Sequence, residues 1–136
     1  MAKKAAPRAA SAIAKTCLAT QIRRLDRVIT RIYDDELRPY GIKSTQLTLL
    51  ANIALAGEIQ PGELGRELDL EKSTVSRNVA RLIDAGWVRS RKGEDARSVE
   101  LQITPAGRRL LDQAHAGWKA AQKKARSLLG AKTADA

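Results

Sequence analysis

The stretch LEKSTVSRNVARLIDAGWVRSRKGEDARSVELQITPAG, Leu70 to Gly107, changes its apolar period midway. Val75, Val79, Leu82 and Ile83 recur at helical spacing, and Gly86 follows as a terminator. Further on, Val99, Leu101 and Ile103 alternate with Ser98, Glu100 and Gln102, the period of a half-buried strand. WVRSR precedes that strand, and the polar, glycine-containing KGEDAR links the two. The spacing predicts a short helix, a glycine stop and a two-stranded antiparallel hairpin with a projecting tip.

The remaining sequence is helical in pattern. From Ile13 to Leu37, the residues Leu18, Ile22, Leu25, Ile29 and Ile32 recur at gaps of 4, 3, 4 and 3, a heptad-like seam that Pro39 and Gly41 end. Ser44 is placed to cap a second helix, with Leu47, Leu50, Ala51 and Ala54 inward and Gly57 as its stop. Pro61 fits the first turn of a third, which buries Leu64 and Leu68. Glu71 or Ser73 opens the fourth, and the tight DLEK connection makes helices three and four a helix-turn-helix candidate. After the hairpin, Thr104 caps and Pro105 starts a long last helix with a second seam: Leu111, Ala114, Trp118, Ala121, Ala125 and Leu128. The two seams can pack on each other, on the core or on a second subunit. A homodimer joined by the first and last helices is the economical arrangement. The expected organisation is a flexible basic arm (1–12), a dimerisation helix and link (13–43), a central unit (44–104), a C-terminal helix (105–130) and a disordered tail (131–136).

The totals narrow the function. With 136 residues the chain is one domain with appended helices, and without Phe its core rests on Leu, Ile, Val and Ala. One Cys and one His exclude an intrachain disulfide and a Cys- or His-based metal cluster, and no cofactor is expected. No apolar run is long enough to span a bilayer, and the basic N-terminus is not a convincing secretory signal, so a cytoplasmic location is expected. The net charge of +10 favours a polyanionic partner. Yet residues 61–103 carry eight basic and eight acidic side chains, and the excess sits at the two ends. Nucleic-acid binding by the middle therefore depends on placement rather than bulk charge.

That placement is legible on the fourth helix. Ser73, Thr74, Ser76, Arg77, Asn78 and Arg81 occupy the arc away from its apolar side. Arginine pairs with guanine edges, asparagine with adenine, and hydroxyls with phosphates or bases. In the hairpin, Arg89, Arg91, Lys92 and Arg97 flank a tip bearing Glu94 and Asp95. A carboxylate there fits if it holds an arginine. Asp95 is placed either to orient the Arg97 guanidinium or to reach Arg77. An extended arginine such as Arg97 suits the negative potential of a narrow minor groove. The plain alternative is a solvated helix face and hairpin.

LEKSTVSRNVARLIDAGWV followed by GEDARSVELQITPAG resembles the MarR family of winged helix-turn-helix regulators; the second segment contains that family's Asp-x-Arg wing signature and a strand ending at Thr104. The resemblance covers residues 13–130. It implies a mainly α fold with a small two- or three-stranded β-wing, and long N- and C-terminal dimerisation helices. It also implies a homodimer that binds double-stranded DNA at a pseudo-palindromic operator, usually as a repressor, in the bacterial or archaeal cytoplasm and nucleoid. Ser73 to Arg81 would be the recognition helix, with Arg77 on DNA, and Arg91, Asp95 and Arg97 would belong to the wing contact.

Many such regulators release DNA when a small phenolic or otherwise anionic effector enters a cleft between the dimerisation helices and the winged unit. Arg27, Arg31 and Tyr33 are candidates for its polar lining; their plainer reading is surface and core. A hydroperoxide-sensing branch carries a reactive cysteine near the start of helix one. Cys17 matches that place, but its distance to IKSTQ is a couple of residues longer, and Tyr33 and Tyr40 do not match that branch's partner residues securely. An inert thiol is the preferred reading, with redox sensing as the alternative. Two further readings compete: a nonspecific architectural DNA binder driven by the basic ends, and a winged-helix protein-interaction module. No nucleophile arrangement is present, so an enzyme is not expected.

Overall fold

The computed structural model describes residues 4–95 and 97–130. Among these residues, six α-helices and a hairpin follow in the order α1 (Arg8–Thr16), α2 (Leu18–Leu37), α3 (Ser44–Ala56), α4 (Pro61–Glu67), α5 (Lys72–Asp84), β1 (Val88–Lys92), β2 (Val99–Ile103) and α6 (Pro105–Leu129). A short 3-10 turn, Arg38–Tyr40, follows α2 and closes on Gly41, whose φ of 71° suits glycine. The expected 131–136 tail and the first three residues of the expected arm lie outside the described residues.

The N-terminal region departs from expectation in two ways. Residues 8–12 are helical, not an irregular arm, and the single helix from Ile13 is broken at Cys17. Cys17 is extended (ψ 111°) and serves both helices: its N–H donates to the Ile13 carbonyl, and its own carbonyl accepts from Gln21. Thr16 sits at the break. Its hydroxyl bonds back to the Ala12 carbonyl at 2.5 Å, a contact that bends helices, and threonine is a poor helix former.

The core centres on α3, which is apolar on most of its circumference. Leu47, Leu49, Leu50 and Ile53 are buried, while Ala51 and Ala54 are only half-buried. Leu37, Ile42, Leu64, Val75, Leu82, Val88, Leu101 and Ile103 complete the cluster. Ser44 is not the cap of α3. Lys43 occupies that position, Gln46 Oε1 accepts from its N–H, and Asp34 of α2 accepts from Ser44 N–H at 2.8 Å. A first-turn donor of α3 is thus satisfied from a neighbouring helix.

The α4–α5 connection is tight because Gly65 permits it. A Cβ there would stand 3.2 Å from both the Leu70 carbonyl and the Val75 side chain. Leu70 N–H bonds the Gly65 carbonyl at 2.9 Å, and Asp69 takes the left-handed conformation that Asp tolerates. On α5, Val75, Val79 and Leu82 are buried as expected, but Ile83 is 38% exposed and Asn78 takes the inward place instead.

The hairpin has the expected antiparallel pairing, from Val88 opposite Ile103 to Lys92 opposite Val99. Ile59 adds a single antiparallel bridge to Leu101, with reciprocal bonds of 3.2 and 2.8 Å. Thr104 accepts from Gly107 N–H and donates to the Gly86 carbonyl, locking the start of α6 against the end of the α5 segment.

The terminal seams are split rather than continuous. On α6, Ala114, Gly117, Ala121 and Ala125 are buried, and α6 packs along α2. A Cβ on Gly117 would meet the Tyr40 ring at 2.7 Å and the Glu36 carbonyl at 2.8 Å. Tyr33 donates to Gln122 and Lys124 pairs with Glu36 across the same contact. Ile13, Leu18, Ile22, Leu25 and Val28 remain exposed, Leu18 by 68%, as do Leu128 and Leu129 at the end of α6.

Candidate nucleic-acid interface

Helix α5 offers its solvent arc through Ser73, Ser76, Arg77 and Arg81, with Thr74 half-buried. Arg77 and Arg81 are one turn apart, and neither enters an ion pair among the described residues. Asn78 does not belong to this arc. It is 8% exposed, and its amide donates to the Thr74 carbonyl at 2.8 Å. Its spacing explains why: 75, 78, 79 and 82 form one i, i+3, i+4, i+7 stripe.

The tip of the hairpin is shaped by Asp95, though by neither expected route. The carboxylate accepts from the Arg97 backbone N–H at 3.2 Å, and the Asp95 carbonyl accepts from both the N–H and the hydroxyl of Ser98. Asp95 pairs with no guanidinium among the described residues; it folds the turn and leaves the exposed Arg97 side chain unpaired.

Arg91 is committed differently. Its Nη2 lies 2.5 Å from Glu58 Oε1. Glu58 also accepts from Gln102, whose Oε1 in turn accepts from Arg89 Nε at 3.0 Å. A carboxylate from the loop after α3 therefore ties down both arginines of β1. Sequence reasoning misses Glu58, whose only signal is proximity to Ile59, an apolar residue between helices.

The expected polar lining does not converge. Tyr33 faces a cavity of about 380 Å³ between α2, α3 and α6, with Leu37, Leu47, Ala51, Leu111 and Trp118 on its wall. Arg27 and Arg31 lie elsewhere, in an open groove with Asp26, Asp34, Asp35 and Arg38. Burial pushes the Tyr33 phenol above its ordinary value, with Arg126 opposing. Cys17 is partly exposed at the start of α2, and hydrogen bonds from the Thr20 side chain and backbone hold its thiol below the usual range. Among the described residues, no cluster of His, Cys, Asp and Glu is placed to hold a metal, and no helix is long and apolar enough to cross a membrane.

A helix-turn-helix of α4 and α5, followed by a hairpin and framed by long helices, defines a winged helix-turn-helix protein. A model of the MarR family matches residues 40–98. The M. tuberculosis transcriptional regulator MosR, solved in complex with DNA, is 32% identical, with 84% of each chain covered and a TM-score of 0.76. The chain belongs to the MarR family. The Bacillus subtilis HTH-type transcriptional regulator YwoH is 33% identical over 62% of this chain; the chain spans about 61% of the length of that relative. A cysteine-to-serine mutant of Escherichia coli MarR, solved with operator DNA, shares the fold at a TM-score of 0.79, with 24% identity over 90% of this chain and 89% of that one.

Proposed function

We propose that this chain is a sequence-specific DNA-binding transcriptional regulator, not an enzyme, that acts in the cytoplasm as a homodimeric repressor on a pseudo-palindromic operator. The observation that carries the reading is the exposed stripe of Ser73, Ser76, Arg77 and Arg81 on the second helix of the helix-turn-helix, its guanidinium groups unpaired among the described residues. Arg97 at the hairpin tip supplies the second contact, in the minor groove. The 32% identical MosR relative, solved in complex with DNA, supports DNA binding as such.

Dimerisation is supported by the apolar side chains left uncovered along α1 and α2, Ile13, Leu18, Ile22, Leu25 and Val28, with Leu128 and Leu129 at the end of α6. Contiguous exposed apolar surface of this kind marks an association site. Two recognition helices in such a dimer stand about 34 Å apart, one turn of duplex. The cavity beside Tyr33 is the effector site: a ligand there alters operator affinity by favouring one spacing of the two helices.

Selection of bound duplexes from a random pool tests the reading. A recovered palindrome with half-sites one turn apart is expected, and Arg77→Ala and Arg97→Ala should each weaken its binding about 10-fold or more while leaving the dimer intact. Recovery of random sequence, with affinity following salt alone, means an architectural binder instead. A redox reading has one observation in its favour, the lowered Cys17 thiol.

A further inference from the structure

We propose that the end of the molecule formed by α1 and the first turns of α2 is a second, sequence-independent surface for double-stranded DNA. A dimer that reads one duplex through α5 and the hairpin can then hold another at its opposite end. The inference rests on the DNA-binding reading above and adds a second face to it.

Position comes first. Tyr40 lies against Gly117 and Tyr33 donates to Gln122, so α2 runs antiparallel to α6. Continued at the same rise, residues before about Asp26 extend past Leu129, the last residue of α6. Helix α6 starts at the hairpin and is about 37 Å long. The start of α2 therefore stands at the far end of that rod from the hairpin. Helix α1, about 13 Å long, is too short to fold back the whole way.

Charge comes next. Residues 1–25 carry six basic side chains and no acidic one. Of these, Arg8, Lys15, Arg23 and Arg24 are exposed and enter no ion pair among the described residues. At about 100° per residue, Arg8 and Lys15 share one stripe of α1, and Ile13 faces away from it. Arg23 and Arg24 fall on the side of α2 away from Leu18, Ile22 and Leu25. The dimer contact proposed above uses the apolar side, leaves the guanidinium groups outward and brings two such sets to one end. On α6, Lys119 and Lys123 continue the excess, and no acidic residue follows Asp112 in that helix. From Asp26 onward α2 differs: Asp26, Asp34 and Asp35 interleave with Arg27 and Arg31 in one groove, so the surface ends there.

The occupant follows from what this end lacks. A bilayer anchor needs bulky apolar side chains beneath its cations, and α1 offers one isoleucine among alanines. Spread, unpaired cations suit a row of phosphates, whose binding releases counterions and reads no sequence.

The test uses the full chain and random-sequence duplexes of about 30 base pairs in about 0.1 M salt. The screening length there is about 10 Å, so a charge about 37 Å away acts only on DNA that it touches. Beads carrying one duplex are mixed with the protein and a second, fluorescent duplex, which the parent is expected to capture. Arg8→Ala, Lys15→Ala, Arg23→Ala and Arg24→Ala together keep good helix formers and should cut that capture by about 10-fold or more. Sedimentation should still show the dimer, and affinity for the duplex recovered from the random pool should stay within about threefold. Should the dimer be lost, Arg8→Ala with Lys15→Ala on α1 alone should still cut capture by about threefold or more. Added to Arg77→Ala and Arg97→Ala, the four changes should weaken random-duplex binding by about a further 10-fold and lower its log–log salt slope by about three. No capture by the parent, capture unchanged by the substitutions, or binding to phosphatidylglycerol vesicles that duplex does not displace overturns the proposal. A pool that yields no palindrome removes the sequence-specific reading alone; loss of capture in the four-fold variant still upholds the second surface.

Discussion

Glu58 Oε1 and Arg91 Nη2 stand 2.5 Å apart, joining the loop after α3 to the first strand of the wing. Both side chains are well exposed, so the pair itself adds at most about 1 kcal/mol to stability. Its effect is on availability: a guanidinium held by a carboxylate is a poorer partner for phosphate. Arg91→Ala is therefore expected to leave duplex affinity within about threefold of the parent, against about 10-fold or more lost in Arg97→Ala. Glu58→Gln should steepen the log–log salt dependence of duplex binding by about one, as Arg91 is released to the backbone. Equilibrium titrations over a salt series read both.

The uncovered apolar residues on α2 make a second expectation. Ile22→Glu places a charge in the centre of the proposed dimer contact, where Ile22 is now 55% exposed. Sedimentation equilibrium should show a monomer of unchanged helix content. Operator affinity should fall by more than about 100-fold, because a single half-site loses the second reading head. A variant that stays dimeric would move the contact elsewhere.

Gly107 gives a stability prediction. An added Cβ would overlap the Trp87 carbonyl and stand 2.7 Å from Ile103 Cγ1. The backbone cannot yield cheaply, because Thr104 N–H is itself bonded to the Trp87 carbonyl at 3.0 Å. Gly107→Ala should cost about 2 kcal/mol or more, read as a lowered urea midpoint with unchanged slope.

Cys17 sets a pH-dependent test. Its thiol is lowered chiefly by the Thr20 side chain, so the reactive thiolate persists to lower pH than in an ordinary cysteine. The rate of alkylation by iodoacetamide should fall with a midpoint below that of a free cysteine as pH drops. Thr20→Val should shift the midpoint upward. The sign for folding follows: a depressed thiol contributes stability above its unfolded pKa and loses it as pH falls through the folded one. A midpoint equal to that of an unstructured peptide rules out the activated thiol.

Much of this architecture is legible in local pattern. The alternation of Val99, Leu101 and Ile103 gives the second strand, Gly86 gives the stop, and Thr104 with Pro105 gives the start of α6. These signals act over a few neighbouring residues. Asn78 is misplaced by sequence reasoning because its polarity outweighs its position, although 75, 78, 79 and 82 is the stripe a buried helix face requires. The break at Cys17 has no glycine or proline to announce it, only a threonine that bonds backward. Glu58 with Arg91, and Asp34 with Ser44 N, bring together residues remote in sequence, and nothing in the local pattern points to either. The two seams illustrate a subtler loss. Periodicity finds the apolar faces of α2 and α6 but not where each changes partner along its length.

Thr104 leaves no slack between wing and long helix. One hydroxyl is shared by the Gly86 carbonyl and Gly107 N–H, so the hairpin runs into α6 without a joint. A helix of 25 residues extends about 37 Å. Tilting such a rod by about 5° carries its far end roughly 3 Å, and a stiff elbow conveys the swing to whatever is fastened at the near end. The wing and α6 therefore behave as one lever, in which a small change of crossing angle at one end becomes a change of reach at the other.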